Sequence, residues 1–221
     1  MIGVTSGEFS RFSKFTTSLI AVMGTLPAGS GLTWAGGVDV SGNCNQLCRK
    51  TLAGDYAWLW VMGDDHDFPS DIVGRLLAHD VDVVVPHCLK RQPPWMPVVF
   101  SHQNEDGHYV AADLPESGLT EIHAAGSAGM LIRREVLEAV GDPWFTPSPN
   151  SEGLNEDLHF CQKVRDVGFG IYCDPQISLG HIALHTVSPR WDGDRWHPEI
   201  VHDGGVGMLY RRPDIRKPVA A

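Results

Sequence analysis

The sequence predicts an α/β protein built on a mostly parallel central sheet flanked by helices, with a small antiparallel element and an irregular C-terminal tail. Through the first half of the chain, short apolar runs of strand length alternate with stretches of helical periodicity, the order in which parallel strands are connected. One run, Tyr56 to Met62 (Y-A-W-L-W-V-M), is apolar throughout and rich in aromatics, as expected of a strand buried on both faces. The 221 residues suit one domain or a core with an appendage, and 43% hydrophobic against 20% charged residues supports a packed interior.

The elements follow in order. Met1 to Thr5 reads as a first strand ending in the polar turn Thr5-Ser6-Gly7. Phe9, Phe12, Phe15, Leu19, Val22 and Met23 recur at helical spacing. Gly29-Ser30-Gly31 breaks the chain before a short strand, Leu32 to Ala35, and a helix is expected from about Asn43 to Leu52, closed by Gly54. After the Tyr56–Met62 strand, Pro69 and Ser70 open a helix through Ile72, Val73, Leu76 and Leu77, and Val81 to Pro86 is the next strand. Residues 89–125 lose this rhythm and suggest loops and short antiparallel strands. Gly129 to Arg133 is read as a strand, followed by a helix to Val140 that Gly141 terminates. A helix from Asn155 to Val167 and a strand from Gly170 to Cys173 complete a domain spanning 1–185. Residues 186–221 show weak periodicity and read as an irregular tail that folds over a site.

A formal net charge of −10 argues against a protein that tracks a nucleic-acid backbone, which needs clustered Lys and Arg. It leaves nucleotide binding open, because a metal ion can supply local positive charge. The longest apolar run in the first thirty residues, Leu19 to Met23, is far short of a membrane span, and no signal-peptide pattern precedes it, so a cytoplasmic location is expected. Five scattered cysteines suit reduced thiols better than a disulfide framework. Cys44 and Cys48 lie at helical spacing, which fits small buried residues on one helix face better than a metal pair.

The strongest chemical signal is Asp64-Asp65-His66-Asp67, placed directly after the buried Tyr56–Met62 run. In open α/β sheets ligands bind beyond the carboxyl ends of strands. Three carboxylates this close repel one another unless solvated or holding a cation. Oxygen ligands with one imidazole suit Mn²⁺ or Mg²⁺, with a bound diphosphate completing the shell. The alternative is a solvated turn in which Asp65 or Asp67 caps the next helix.

The stretch W-L-W-V-M-G-D-D-H-D-F-P resembles the DXD region of the GT-A glycosyltransferases, in which an apolar strand ends in Asp-x-Asp or Asp-x-His before Phe-Pro and a helix. One register places Asp65 at the last Asp with Asp64 central; the other makes Asp64-Asp65-His66 an Asp-x-His motif. The resemblance implies a divalent metal, Mn²⁺ or Mg²⁺, held by Asp64, Asp65 and His66 and bridging the phosphates of a UDP- or GDP-linked sugar donor. Further matches follow in order along residues 1–185. A-G-S-A-G-M-L-I-R resembles the turn beside the donor sugar, implying close backbone approach with exposed N–H groups at Gly126, Ser127 and Gly129. N-E-D-L-H-F resembles the segment whose carboxylate contacts or deprotonates the acceptor, which implies Asp157 with Glu156 as its neighbour. C-D-P-Q-I-S-L-G-H resembles the strand ending in a late metal-ligand histidine, here His181. By the same resemblance Thr5, Ser6 and Gly7 meet base and ribose, and Asn45 and Arg49 stand where the family often carries an Arg-Asn pair. The loop Lys90 to Pro97 (K-R-Q-P-P-W-M-P) offers Arg91 to phosphate and Trp95 to a sugar ring, or is a plain Pro-rich surface loop.

The function expected from these features is metal-dependent transfer of a sugar from a nucleotide sugar to an acceptor that the sequence does not name. A metal-dependent nucleotidyltransferase is the alternative enzyme, disfavoured because Thr5-Ser6-Gly7-Glu8 lacks the cation of a phosphate loop. A non-catalytic nucleotide- or sugar-binding module is the third reading, disfavoured by the presence of both Asp65 and Asp157.

Overall fold

The computed structural model describes residues 1–6, 13–37, 39–91, 95–147, 155–182, 186–201 and 207–209, with the side chains of Ser6, Val201 and 207–209 left aside. Strands β1 (Ile2–Ser6), β2 (Leu32–Gly36), β3 (Trp58–Gly63), β4 (His66–Asp67) and β5 (Val83–Cys88) form the first half, with helices α1 (Ser13–Met23), α2 (Val40–Ala53) and α3 (Ile72–Leu77) between them. The region that loses its rhythm holds β6 (Val99–Gln103), β7 (Tyr109–Ala111), β8 (Thr120–Glu121) and β9 (Ala124–Ala125). There follow β10 (Leu131–Arg133), α4 (Arg134–Val140), α5 (Glu156–Asp166), β11 (Ile171–Ile182), β12 (Thr186–Trp191), β13 (Trp196–Val201) and β14 (Gly207–Leu209). Phe9 and Phe12, read as helical, lie outside the described residues.

The elements form as their local chemistry dictates. Asp39 caps α2 by accepting from the Gly42 N–H at 2.6 Å, satisfying one of the donors that a helix leaves open at its start. β5 is buried at every position, because helices cover the sheet on both sides. Alternation then divides the strand residues between two cores. Leu59, Val61, Val83 and Val85 join Leu47, Val136, Leu137, Phe160 and Val164 from α2, α4 and α5. Trp60, Met62 and Val84 join Phe15, Leu19, Ile72 and Leu76 from α1 and α3. Among the described residues no helix is long and apolar enough to cross a membrane.

Among the described residues an eleven-stranded sheet runs in the order β14-β13-β12-β11-β5-β10-β3-β1-β2, with β4 and β8 also paired to β11; β7-β6-β9 form a small antiparallel sheet. The large sheet is mixed, and this corrects the mostly parallel expectation. β1 pairs in parallel with β2 and β3, and β11 with β5, but the remaining pairings are antiparallel. Because β10 is antiparallel to both β3 and β5, these two point the same way. The carboxyl ends of β1, β2, β3, β5 and the first part of β11 therefore share one edge, and the chain entering β10 passes along it.

The C-terminal half departs from expectation in two further ways. The strand read as Gly170 to Cys173 continues to Ile182 across an irregularity between Asp174 and Ser178. Pro175 sits within that irregularity, where its missing N–H breaks no ladder, and the Asp174 carboxylate accepts from the Gln176 N–H at 2.8 Å. Where the tail is described it is not irregular: β12, β13 and β14 extend the sheet as an antiparallel meander, so residue 185 falls between adjacent strands. Its prolines conceal this in the sequence. Pro189 and Pro198 face each other, which puts both missing donors on one rung.

Candidate functional site

The site is assembled where the shared carboxyl edge meets the second part of β11. β3 ends at Gly63, and Asp64-Asp65 turn the chain into β4. β4 lies antiparallel to β11 with His66 opposite His181, and the Ile182 N–H donates to the Asp65 carbonyl at 2.8 Å. Asp65 and His181, 116 positions apart, thereby meet. Beside them, β5 ends at Cys88 and leads to Leu89 and Arg91, with Cys88 in register with Leu179.

Asp65 is the centre of this cluster. Its Oδ2 accepts from the Arg91 guanidinium at 2.9 Å and faces His181 Nε2 at 3.2 Å, while Oδ1 lies 3.0 Å from His66 Nδ1. Burial by itself raises the Asp65 carboxyl, but the hydrogen bonds and charge of His181 and His66 outweigh it and hold the group well below the usual carboxylate range. The two imidazoles stack, with ring centres 4.5 Å apart and 24° between planes.

The hydrogen bonds also set the histidine tautomers. A carbonyl oxygen only accepts, so His181 Nδ1, 3.0 Å from the Leu89 carbonyl, carries a proton. Its Nε2 then presents a lone pair toward Asp65 Oδ2 unless the ring is protonated twice. Two acceptors facing each other are stable only with a proton or a cation between them. His66 Nδ1, between the Asp65 carboxylate and the Gly63 carbonyl (3.4 Å), is likewise the protonated nitrogen. Its Nε2 is buried with no hydrogen-bond partner among the described residues.

Asp157 stands at the start of α5, against the turn that enters β10. Its Oδ1 accepts from the Leu158 N–H at 2.8 Å, and the Ser127 backbone also hydrogen-bonds the carboxylate. A Cβ built on Gly126 would lie 3.5 Å from Asp157 Oδ2, in ordinary contact, so the turn packs directly against the carboxylate. Asp157 keeps some surface in water, yet protein crowds its carboxyl on most sides. That burial, followed by the negative charge of Glu156, raises it to about 6. Val98 links the two halves of the site: its N–H donates to the Cys88 carbonyl, and its own carbonyl accepts from the Gly126 N–H.

Several expected site residues have other work. Asn45 is buried, giving a hydrogen bond to the Phe145 carbonyl and accepting from the Trp144 and Phe145 N–H groups. Arg49 forms a two-pronged pair with Asp142 at 2.6 and 2.8 Å. Both tie α2 to the segment after α4. The Gly126 and Gly129 N–H groups are not free for a donor either, being bound to the Val98 and Val61 carbonyls. Gly129 is instead required by its φ of +76° and by Pro86, whose Cγ would lie 2.6 Å from an added Cβ. Asp67, the last of the acidic run, binds Lys14 and Ser18 and holds α1 in place. Thr5, next to last in β1, lies opposite Gly63 and donates to the Met62 carbonyl. Ser6 ends the same strand, and Gly7 lies outside the described residues. Asp64 remains at the turn, beside Asp65.

The structure adds Cys88, which sequence reasoning passed over. It is buried, its thiol is pushed up to about 12 by that burial, and it donates weakly to the same Leu89 carbonyl that orients His181. Its Sγ and one ring nitrogen each of His66 and His181 lie within 4.8 Å of one another. The available signal was its position just past the Val81–Pro86 strand, on the same edge as Asp65. The tail contributes too: Val187 and Ile200 pack on Leu89 with Trp95 against them, and Trp196 meets His87 edge-on at 4.7 Å.

The chain matches no family model and no curated protein. Among solved structures it is similar to the crystal structure of A197 from STIV, with a TM-score of 0.60 and 13% identity over 100% of this chain and 99% of that one. At that identity the likeness shows a shared fold and nothing further. The class defined so far is therefore an α/β protein with a large mixed sheet and a cluster of carboxylate, imidazole and thiol groups at one sheet edge.

Proposed function

We propose that this protein is a metal-dependent glycosyltransferase that moves a sugar from a nucleoside-diphosphate sugar to an acceptor hydroxyl. The observation that carries the reading is the meeting of Asp65 and His181, which bring a carboxylate oxygen and an imidazole nitrogen to 3.2 Å at the carboxyl edge of the sheet. That donor set fits a cation: a carboxylate held ionised, and an imidazole whose other nitrogen is tied to a carbonyl, as ligand histidines usually are. Asp65 and His181 would hold Mn²⁺, with Asp64 alongside; Mn²⁺ accepts an imidazole more readily than Mg²⁺ does. When bound, the ion acts as a Lewis acid that offsets charge on the leaving diphosphate.

The chain's own residues supply the rest. Asp157, raised to about 6, is ionised at neutral pH yet basic enough to take a proton from an acceptor hydroxyl as the sugar is transferred. Burial and Glu156 create that basicity, and the Leu158 and Ser127 backbone groups aim the carboxylate. Arg91, paired with Asp65 at rest, is a cation within reach of a diphosphate bound at the same carboxylate.

The test is donor binding and turnover with UDP- and GDP-linked sugars, with and without Mn²⁺. One donor class should raise the melting temperature only with Mn²⁺ present, and nucleoside diphosphate should be released on adding acceptor. Asp65→Asn should keep the fold and abolish the Mn²⁺-dependent shift. Donor binding indifferent to a chelator in the wild-type protein would overturn the reading.

A further inference from the structure

The buried nitrogen of His66 is not explained by an Asp65–His181 metal pair. His66 is 3% exposed, and its buried Nε2 has no hydrogen-bond partner among the described residues. A bare buried imidazole lone pair is costly unless something occupies it. Cys88 Sγ, one ring nitrogen of His66 and one of His181 all lie within 4.8 Å of one another. Both histidines have Nδ1 engaged, His66 by the Asp65 carboxylate and the Gly63 carbonyl and His181 by the Leu89 carbonyl, leaving each Nε2 as the ligating atom. A carboxylate or carbonyl behind the ring is the usual support of metal-bound histidine.

We propose that His66, Cys88 and His181 form a second mode of metal binding in this pocket, a two-histidine, one-thiolate site for Zn²⁺ that fills when no nucleotide is bound. A thiolate selects thiophilic ions over Mn²⁺ and Mg²⁺, and two imidazoles with one thiolate form a tetrahedral Zn²⁺ shell with one open position. Binding converts the Cys88 thiol to a Zn²⁺-bound thiolate and releases its proton to solvent. The ligands come from β4, β5 and β11, so the ion would pin the end of β5 to the β4–β11 pair. Because His181 is common to both modes, Zn²⁺ and a Mn²⁺–donor complex exclude each other. That exclusion alone rests on the glycosyltransferase reading; the Zn²⁺ site itself does not.

The test uses the whole chain and the metal alone. X-ray absorption of the Zn²⁺-loaded wild-type protein should show one sulfur at about 2.3 Å with nitrogen scatterers at about 2.0–2.1 Å. Co²⁺ in place of Zn²⁺ should give a thiolate charge-transfer band. Cys88→Ala and Cys88→Ser should abolish the sulfur signal and weaken Zn²⁺ binding about tenfold or more, whereas Asp65→Asn should keep the sulfur signal. A Zn²⁺ shell of nitrogen and oxygen only, or unchanged Zn²⁺ affinity in folded Cys88→Ala, would overturn the proposal; the wild-type spectrum decides even if the variants misfold. A missing sulfur alongside Mn²⁺-dependent donor binding sinks only the Zn²⁺ site. Sulfur present with no nucleotide-sugar binding sinks only the glycosyltransferase reading.

Discussion

Replacing Asp157 by Asn separates what this residue does for activity from what it costs the fold. The carboxyl is raised to about 6, chiefly by burial and then by Glu156. Against an unfolded value near 3.9, and at 1.36 kcal/mol per pKa step, the ionised form is disfavoured in the native state by up to about 3 kcal/mol. The water-facing part of the side chain reduces that toward about 1–2 kcal/mol. Between pH 4 and 6 the native state binds more protons than the unfolded state, so wild-type stability falls as pH rises through this window. Asn is neutral throughout. Asp157→Asn should therefore be more stable than wild type at pH 7.5, melting about 2–8 °C higher, with the difference shrinking toward zero by pH 4. Denaturant melts at pH 4.0, 6.0 and 7.5 measure this directly. In the same variant turnover should fall about 10²-fold or more with donor affinity little changed, while the wild-type rate should rise with pH through a limb near 6. A variant equally stable at pH 7.5, or a difference independent of pH, would refute the burial argument. Normal turnover would remove Asp157 from the chemistry and leave Glu156 as the next carboxylate to test.

Asn45→Ala strips three backbone groups of their partner and should destabilise the protein by about 2–4 kcal/mol in chemical denaturation, with no change in donor affinity. Gly129→Ala meets both a positive φ and Pro86, and should cost about 2 kcal/mol or more in the same assay. Arg91→Met removes a cation that competes for Asp65 Oδ2, and should tighten Mn²⁺ binding without nucleotide roughly two- to fivefold, the worth of a half-exposed ion pair. The same variant should bind donor more weakly; calorimetry with Mn²⁺ alone and with Mn²⁺ plus donor separates the two effects.

The sequence by itself determined the elements whose signals are local. The apolar run ending at Met62 declares a buried strand, and the spacing of Phe15, Leu19 and Val22 declares a helix, because side-chain periodicity follows from backbone geometry alone. Asp65 was legible for the same reason, since carboxylates directly after such a strand must emerge at a sheet edge. Asp157 was legible as a charge at a helix start, but its raised pKa was not, because that depends on crowding around Gly126 and Ser127. Only the tertiary structure decided what depends on pairing across distance. It joined His66 to His181 through β4 and β11, brought Cys88 to them, and spent Asn45 and Arg49 on the segment after α4. It also placed the proline-bearing strands β12 and β13 in the sheet, which local propensity argued against. Strand pairing is settled by which backbone donors and acceptors and which apolar faces are left to satisfy once the rest of the chain has folded, and no window of sequence contains that information.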